Sequence, residues 1–487
     1  MSQRFVFFDT ETSGADTRYD QVLQFAAIVT DKDFNEIEAV NLRSKRLPHV
    51  LPHPKALEVT RITPQELEQA EMTAFEFATD IHRRISAWAP ATFAGQNTLR
   101  FDREILRTTF WMNLLDPYVM GSRGSRELDI LPVMRFIHTV DPTAFQVPTN
   151  PETGRFVFKL DQIAPLNGFD NGGNAHDALV DVRATVFMAK LARERRPDLF
   201  GLAVACADPQ RNLRLLADQR MLYHLTYFGD PKVQQITKVA NHPQNPKQSI
   251  CFDLAHDPAP FLKMSAEEIS TRLFGADTPF QVIKANAQPI LMPADVEILR
   301  PSEPIERETL VRRLDLIQAS HAFREACGRA LEISAASFEK RSNVEEQLYD
   351  GFPSFADKGR MRAWHGARSW PERHEIGKTF EDPRLRQIST RLVYLNAPGT
   401  LAPAFREKIE AHILRTRLLG PDDAPWTTLS KAEASLETVA DAPMKAAIGA
   451  WLKNLRDAAE ARLKDLEMLP SARTTALASP AAKDEAR

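Results

Sequence analysis

Near the amino terminus apolar residues fall into short dense runs separated by polar turns. Segments 4–9, 22–30 and 36–42 are rich in Val, Ile, Phe and Ala and read as three strands. The short link Asp31-Lys32-Asp33 between the last two predicts a hairpin. In Thr63-Pro64-Gln65-Glu66 the threonine suits an N-cap and the proline the first helical position, so a helix follows. Another helix is predicted over 72–88, and a buried strand at 91–95 precedes a helix starting near Asp102. Later helices cover about 130–139, 160–167 and 176–195.

Antiparallel strands followed by alternating helices and strands predict an α/β sheet of the ribonuclease-H type. Pro197 ends the long helix and marks a boundary. Beyond it, over 199–300, short strands at Gln235–Val239, Ser249–Leu254 and Gln281–Ala285 mix with helical segments, as in a small β-rich barrel with insertions. From about 305 the pattern is mainly helical, clearest at 308–340, 383–396, 403–418 and 441–467. The Ala/Ser/Thr-rich end from Pro470 reads as a disordered tail.

Length supports this division, since 487 residues exceed what one compact core holds. No apolar run approaches the ~20 residues of a membrane span, and no secretory segment precedes the first strand. Cys206, Cys251 and Cys327 are widely spaced and form no C-x-x-C pair, which argues against a zinc site and a disulfide framework and for the cytoplasm. The net charge of −3 counts weakly against a nucleic-acid partner, because a local basic groove sets affinity for phosphates.

Candidate chemistry begins at Asp9-Thr10-Glu11, directly after Phe5-Val6-Phe7-Phe8. Two carboxylates one residue apart on a strand point to the same side. Like charges held that close cost free energy unless a cation, usually divalent, sits between them. Asp102 stands where a helix begins; taken alone it reads more readily as an N-cap than as a ligand. In His176-Asp177-Ala178-Leu179-Val180-Asp181 the His and final Asp are about 500° apart on a helix and share no face. A histidine preceding the helix could still swing over a site that Asp181 enters from the first turns. Asp181 interrupts the apolar set Ala178, Val182, Ala184 and Val186, and an acid there needs a partner. Asp129, before the run 130–140, reads as an N-cap, and Arg193-Glu194-Arg195-Arg196 as a solvated helix end. Trp364, His365 and Trp370, near Arg360, Arg362 and Arg368, read as helix packing in preference to a strand-binding surface.

The order Asp-x-Glu, Asp, His-x4-Asp over residues 1–198 resembles the DEDDh class of 3′–5′ exonucleases. Gln24–Ile28, Ile62–Glu66, Asp116-Pro117-Tyr118, Val133-Met134-Arg135, Asn343–Phe352 and Asn396–Leu401 are similar to bacterial exodeoxyribonuclease I nearly end to end. The resemblance implies an exonuclease domain at 1–198, an SH3-like β-barrel domain with helical insertions at 199–350 and a helical domain at 351–468, with the tail at 469–487. Together the domains would enclose a channel for single-stranded DNA. It also implies two Mg²⁺ ions, with Mn²⁺ as a substitute, on Asp9, Glu11 and Asp181, with Asp102 completing the site directly or through water. His176 would be the general base, and Glu11, Arg107, Tyr118, Arg135 and Lys159 would meet the DNA strand.

The expected activity is cytoplasmic, Mg²⁺-dependent removal of 5′-mononucleotides from single-stranded DNA in repair and recombination, by a monomer. The rivals are a DEDDh exoribonuclease trimming RNA ends and a catalytically silent scaffold that binds single strands. Three departures stand out. Asp9-Thr10-Glu11-Thr12-Ser13-Gly14 lacks an aromatic between the acids, as in proofreading exonucleases. Met120–Ser125 is Gly/Ser-rich where relatives carry tryptophan. Members bind the acidic tail of single-stranded-DNA-binding protein, but Asp141-Pro142 replaces an expected arginine after Arg135.

Overall fold

The computed structural model describes residues 4–468 apart from 171, 173–176, 276–277, 297 and 337–340, so His176 and the expected tail lie outside the described residues. Strand β1 (Phe5–Thr12) is the centre of the first sheet. β2 (Val22–Thr30), β3 (Glu36–Arg43), β4 (Thr92–Gly95) and β5 (Arg126–Asp129) complete the order β3-β2-β1-β4-β5. β1, β2 and β3 pair antiparallel, whereas β1–β4 and β4–β5 are parallel. This is the ribonuclease-H arrangement that the sequence pattern predicts. β1 is apolar on consecutive residues because both its faces are covered: Phe5 and Phe7 enter one core layer, Val6 and Phe8 the other.

Helices α1 (Pro54–Thr60), α2 (Pro64–Gln69) and α3 (Ala74–Trp88) follow the hairpin. Thr63 and Glu66 cap α2 reciprocally, and Thr73 and Glu76 do the same for α3. α3 packs with α4 (Asp102–Trp111) on one sheet face through Phe77, Ile81, Ile85, Ile105 and Phe110. α5 (Ile130–Val140), α6 (Leu160–Leu166) and α7 (Ala178–Arg195) cover the other. Pro197 ends α7 but also opens α8 (Pro197–Ala205), whose Leu199, Phe200 and Ala203 join the same core.

After α9 (Pro209–Asp218) comes a second sheet, all antiparallel, of β6 (Leu222–Phe228), β7 (Asp230–Asn241), β8 (Gln248–Asp253), β9 (Phe280–Lys284) and β10 (Ile290–Pro293). Its order is β10-β6-β7-β8-β9. The short α10 (Ala266–Ser270) and the pair α11 (Arg307–Ala319) and α12 (His321–Ala336) pack on it. The single helix expected over 308–340 is thus two, broken where Ser320 turns extended.

The helical part comprises a 3-10 turn at Val344–Tyr349, α13 (Phe355–Gly366), α14 (Trp370–Lys378), α15 (Pro383–Asn396), α16 (Pro403–Ile413), α17 (Leu429–Ser435) and α18 (Ala442–Met468). Trp364 is fully buried and its Nε1 donates to Ser389 Oγ at 2.9 Å, so helix packing is its role. α18 lies back on the first unit, where Ile448 and Leu452 share a core with Leu23, Leu51 and Leu57. Among the described residues no helix is long and apolar enough to cross a membrane.

The basic run at the end of α7 is solvated at Glu194 and Arg195 but not at its two flanking arginines. Arg193 lies 4.2 Å from the Phe34 ring centroid and donates to the Asp33 carbonyl, and Arg196 pairs with Asp141 and Asp198 at 2.8 Å each. Both are half-buried and partnered, because α7 ends against the β2–β3 hairpin and the loop after α5.

Candidate active site

β1 outruns its parallel neighbour. The ladder to β4 stops at Phe7, while that to β2 continues past Asp9 and Glu11, paired with Ala26 and Gln24. Asp9 and Glu11 therefore project at the carboxyl end of the central strand, on the face that α7 covers, where open α/β sheets place their ligands. The first turn of α7 delivers Asp181. One carboxylate oxygen each from Asp9, Glu11 and Asp181 lie within 4.8 Å of one another, with Glu11 buried and the others half-buried.

The start of α7 is fixed from two strands. Asp177 caps it, accepting from Leu179 N–H at 3.1 Å, and also accepts from Gln24 Nε2 at 3.1 Å and Arg43 Nη2 at 3.3 Å. Asp102 arrives from the other side of the sheet and corrects its N-cap reading. Phe101 holds the cap position of α4 without a side-chain bond, and the Asp102 carboxylate accepts from Thr10 N–H at 3.1 Å and Thr10 Oγ1 at 2.6 Å. Thr10, between the two acids, thus orients a third. Asp129, by contrast, is the N-cap predicted for it, accepting from Leu131 N–H at 3.0 Å.

The carboxylates of this site crowd one another. Burial first, then Asp102, Glu11 and Asp181, push the Asp9 carboxyl well above the ordinary range. Burial and then Asp181 and Asp102 push Glu11 up to about 9. Burial raises Asp102 to about 6 even though the Thr10 hydrogen bonds pull it down. A buried group of like charges is costly, and a divalent cation would reverse that cost. Three hard oxygen donors without nitrogen or sulfur suit Mg²⁺ or Mn²⁺ over softer metals.

The expected DNA contacts are dispersed, and several are already engaged. Arg107 is nearly buried, pairs with Glu127 at 3.1 Å and Glu104 at 3.2 Å, and lies 5.2 Å from the Tyr118 ring centroid. Arg135 is half-buried between the rings of Tyr227 and Phe158, at 4.9 and 5.7 Å. Lys159 is exposed at the entry to α6. Missed in the sequence, three aromatics stand in solvent: Tyr349, Phe352 and Phe355 are 51%, 74% and 87% exposed. Phe352 lies 5.6 Å from Tyr118, Lys358 sits over it at 5.8 Å, and the Tyr349 hydroxyl bonds Glu104 on α4. Three aromatics within seven residues after a helical turn were the available signal. Gln24, Arg43 and Thr10 carried none.

Comparison with known proteins follows the same division. The family model described as Exonuclease matches residues 6–188, that of the Exonuclease I SH3-like domain 211–330, and that of the Exonuclease I C-terminal domain 342–461. Exodeoxyribonuclease I of Escherichia coli K12 is 32% identical over 430 residues, covering 84% of this chain and 88% of the relative. The crystal structure of E. coli exonuclease I in complex with a dA16 oligonucleotide superposes with a TM-score of 0.82 at 29% identity, over 94% of this chain and 100% of that one. That of SSB/exonuclease I in complex with the inhibitor CFAM gives 0.81 at 28%, over 95% and 100%.

Proposed function

The chain belongs to the exodeoxyribonuclease I family and is a 3′–5′ exonuclease of single-stranded DNA, and from that premise we propose how its own residues carry the reaction. Asp9, Glu11 and Asp181 would hold two Mg²⁺ ions and Asp102 would complete the site, which releases 5′-mononucleotides. The observation that carries this reading is the meeting of three carboxylates from β1 and α7 at one point. When bound there, divalent cations supply activation of water and neutralisation of charge on the phosphate and leaving oxygen. Asp9 and Glu11 are held by a paired strand, so their separation does not relax. Asp102 is oriented by both donors of Thr10. His176, two residues ahead of the first residue of α7, is the base that takes the proton from the attacking water.

DNA leads to this point across the paired rings of Tyr118 and Phe352 and the exposed Phe355, with the exposed Lys159 to meet a phosphate. Arg107, tied to two carboxylates, supports the Tyr118 ring. Stacking on an aromatic side chain contributes about 1–3 kcal/mol per base. The double variant Phe352→Ala/Phe355→Ala is therefore expected to bind a short single strand ~10- to 100-fold more weakly by fluorescence anisotropy, with turnover at saturating DNA retained. Unchanged affinity would remove these rings from the path.

The protein works in the cytoplasm in DNA repair and recombination, as a monomer; its three cysteines are all buried and unpaired, as a reducing compartment allows. Likeness to the SSB complex supports binding of an acidic tail, weakened here because Asp141 stands near Arg196 instead of an arginine. The deciding experiment follows 5′-labelled single-stranded DNA, matched RNA and duplex DNA in Mg²⁺ and in EDTA. Shortening from the 3′ end of single-stranded DNA, only with Mg²⁺, is expected. Preference for RNA would overturn the substrate assignment.

A further inference from the structure

Gln288, in the turn between β9 and β10, has a backbone φ of 51° and is almost fully buried. A residue with a side chain seldom adopts that left-handed conformation. Its amide engages one residue through both its oxygen and its nitrogen. Oε1 accepts from Asp129 N–H at 2.7 Å and Nε2 donates to the Asp129 carbonyl at 2.9 Å. A side chain of the second sheet therefore pairs with the last residue of β5 much as a neighbouring strand would.

Asp129 in turn organises the loop after β4. Its carboxylate accepts from Asn97 N–H at 2.8 Å and Leu99 N–H at 3.3 Å as well as capping α5. Asn97 is itself left-handed, at φ 60°. The Thr98 carbonyl of that loop accepts from Arg103 N–H at 3.0 Å, in the first turn of α4 that carries Asp102. Hydrogen bonds and the short backbone stretch 97–99 thus connect the second sheet to the first turn of α4, which carries Asp102.

We propose that Gln288 is a positioning residue for the nuclease site, through which the second sheet fixes the loop that presents Asp102. The proposal rests on the assignment of Asp102 to the site. It accounts for a buried glutamine kept in an unfavourable backbone conformation, in a turn that glycine would fill more easily. It also gives the second sheet a part in the reaction besides enclosing DNA.

The test uses the full-length protein. Gln288→Gly accepts the left-handed backbone and leaves room for water to bond Asp129, so the fold is kept while the fixed amide is lost. The expected result is a kcat about 10- to 100-fold lower, the range a small misplacement of a reacting group produces. KM for the oligonucleotide stays within about twofold and Tm near wild type. Gln288→Asn keeps the amide and tolerates the backbone but is one methylene short, and is expected to lose kcat similarly. Unchanged kcat in both variants overturns the proposal. So does a fall in Tm with KM rising alongside it, since that marks a structural prop only. Asp102→Asn, run in parallel, separates the two failures: full activity there would mean that the assignment of Asp102 had failed, not the link from Gln288.

Discussion

Asp181→Asn is expected to lower single-turnover cleavage by about three orders of magnitude, while single-stranded DNA remains bound and the metal-free protein becomes more stable. The size of the first effect follows from removing one preorganised charge from a site whose work is electrostatic, where a single lost group costs about 10²–10³-fold or more. The second follows if DNA is held along the proposed path of Tyr118, Phe352, Phe355 and Lys159, apart from the carboxylates. The third is the most specific. Asp181 is the carboxylate that most raises Glu11, and asparagine of the same shape relieves that repulsion. Melting in EDTA should therefore move up in the variant. Wild type should gain stability on adding Mg²⁺ through binding to the folded state, and the variant should gain less. A wild-type Tm indifferent to Mg²⁺ would sink the cation site, and a loss of DNA affinity as large as the loss of rate would reassign Asp181.

How much of this was legible follows from how local each signal is. β1 and β2 announce themselves because burial on both faces leaves continuous apolar residues, and α2 because Thr63, Pro64 and Glu66 form a complete start signal. β5 and β10 are four residues each, too short to show a period. Asp9 and Glu11 could be paired from strand alternation, although β1 extends to Thr12, so they sit within the strand and not after it. Asp102 is placed in the site by its order in the family pattern and not by local signal, since its partner, Thr10, is 92 residues away and its place at a helix start imitates a cap. Long separation in sequence likewise hides Arg43 and Gln24 on Asp177 and Gln288 on Asp129, and a change of element hides Glu127 on Arg107. Charged and polar residues reveal their type in a sequence, but their partners are assigned only by the fold.

Glu345→Gln is expected to cost about 3–5 kcal/mol at neutral pH, as removal of one partner from a buried ion group does. Glu345 lies in the 3-10 turn between the second sheet and the helical part, and bonds Arg391 of α15 at 2.8 Å and, closely, Arg417. All three side chains are largely buried, so glutamine leaves two guanidinium groups without their counter-charge. Burial alone would raise the Glu345 carboxyl, but Arg391 and Arg417 overcome it and hold it at about 2. The folded value lies below the unfolded one, so the stabilisation is complete above about pH 4.5 and is lost as pH falls towards 2. Urea unfolding of wild type and variant should differ most at pH 7, and the gap should shrink below pH 4.5 and close only near pH 2; an equal gap at pH 7 and pH 2 would mean that packing, and not charge, sets the loss. The effect reaches function because the first unit holds the same turn: Trp111 Nε1 donates to the Val344 carbonyl at 2.9 Å and Asn343 Nδ2 to Tyr19 Oη at 2.8 Å. Loosening that turn detaches the helical wall from the nuclease sheet before it disturbs Asp9, Glu11 or Asp181. The variant should then release DNA after fewer steps while each step keeps its rate, which single-encounter digestion with excess unlabelled DNA as a trap resolves directly.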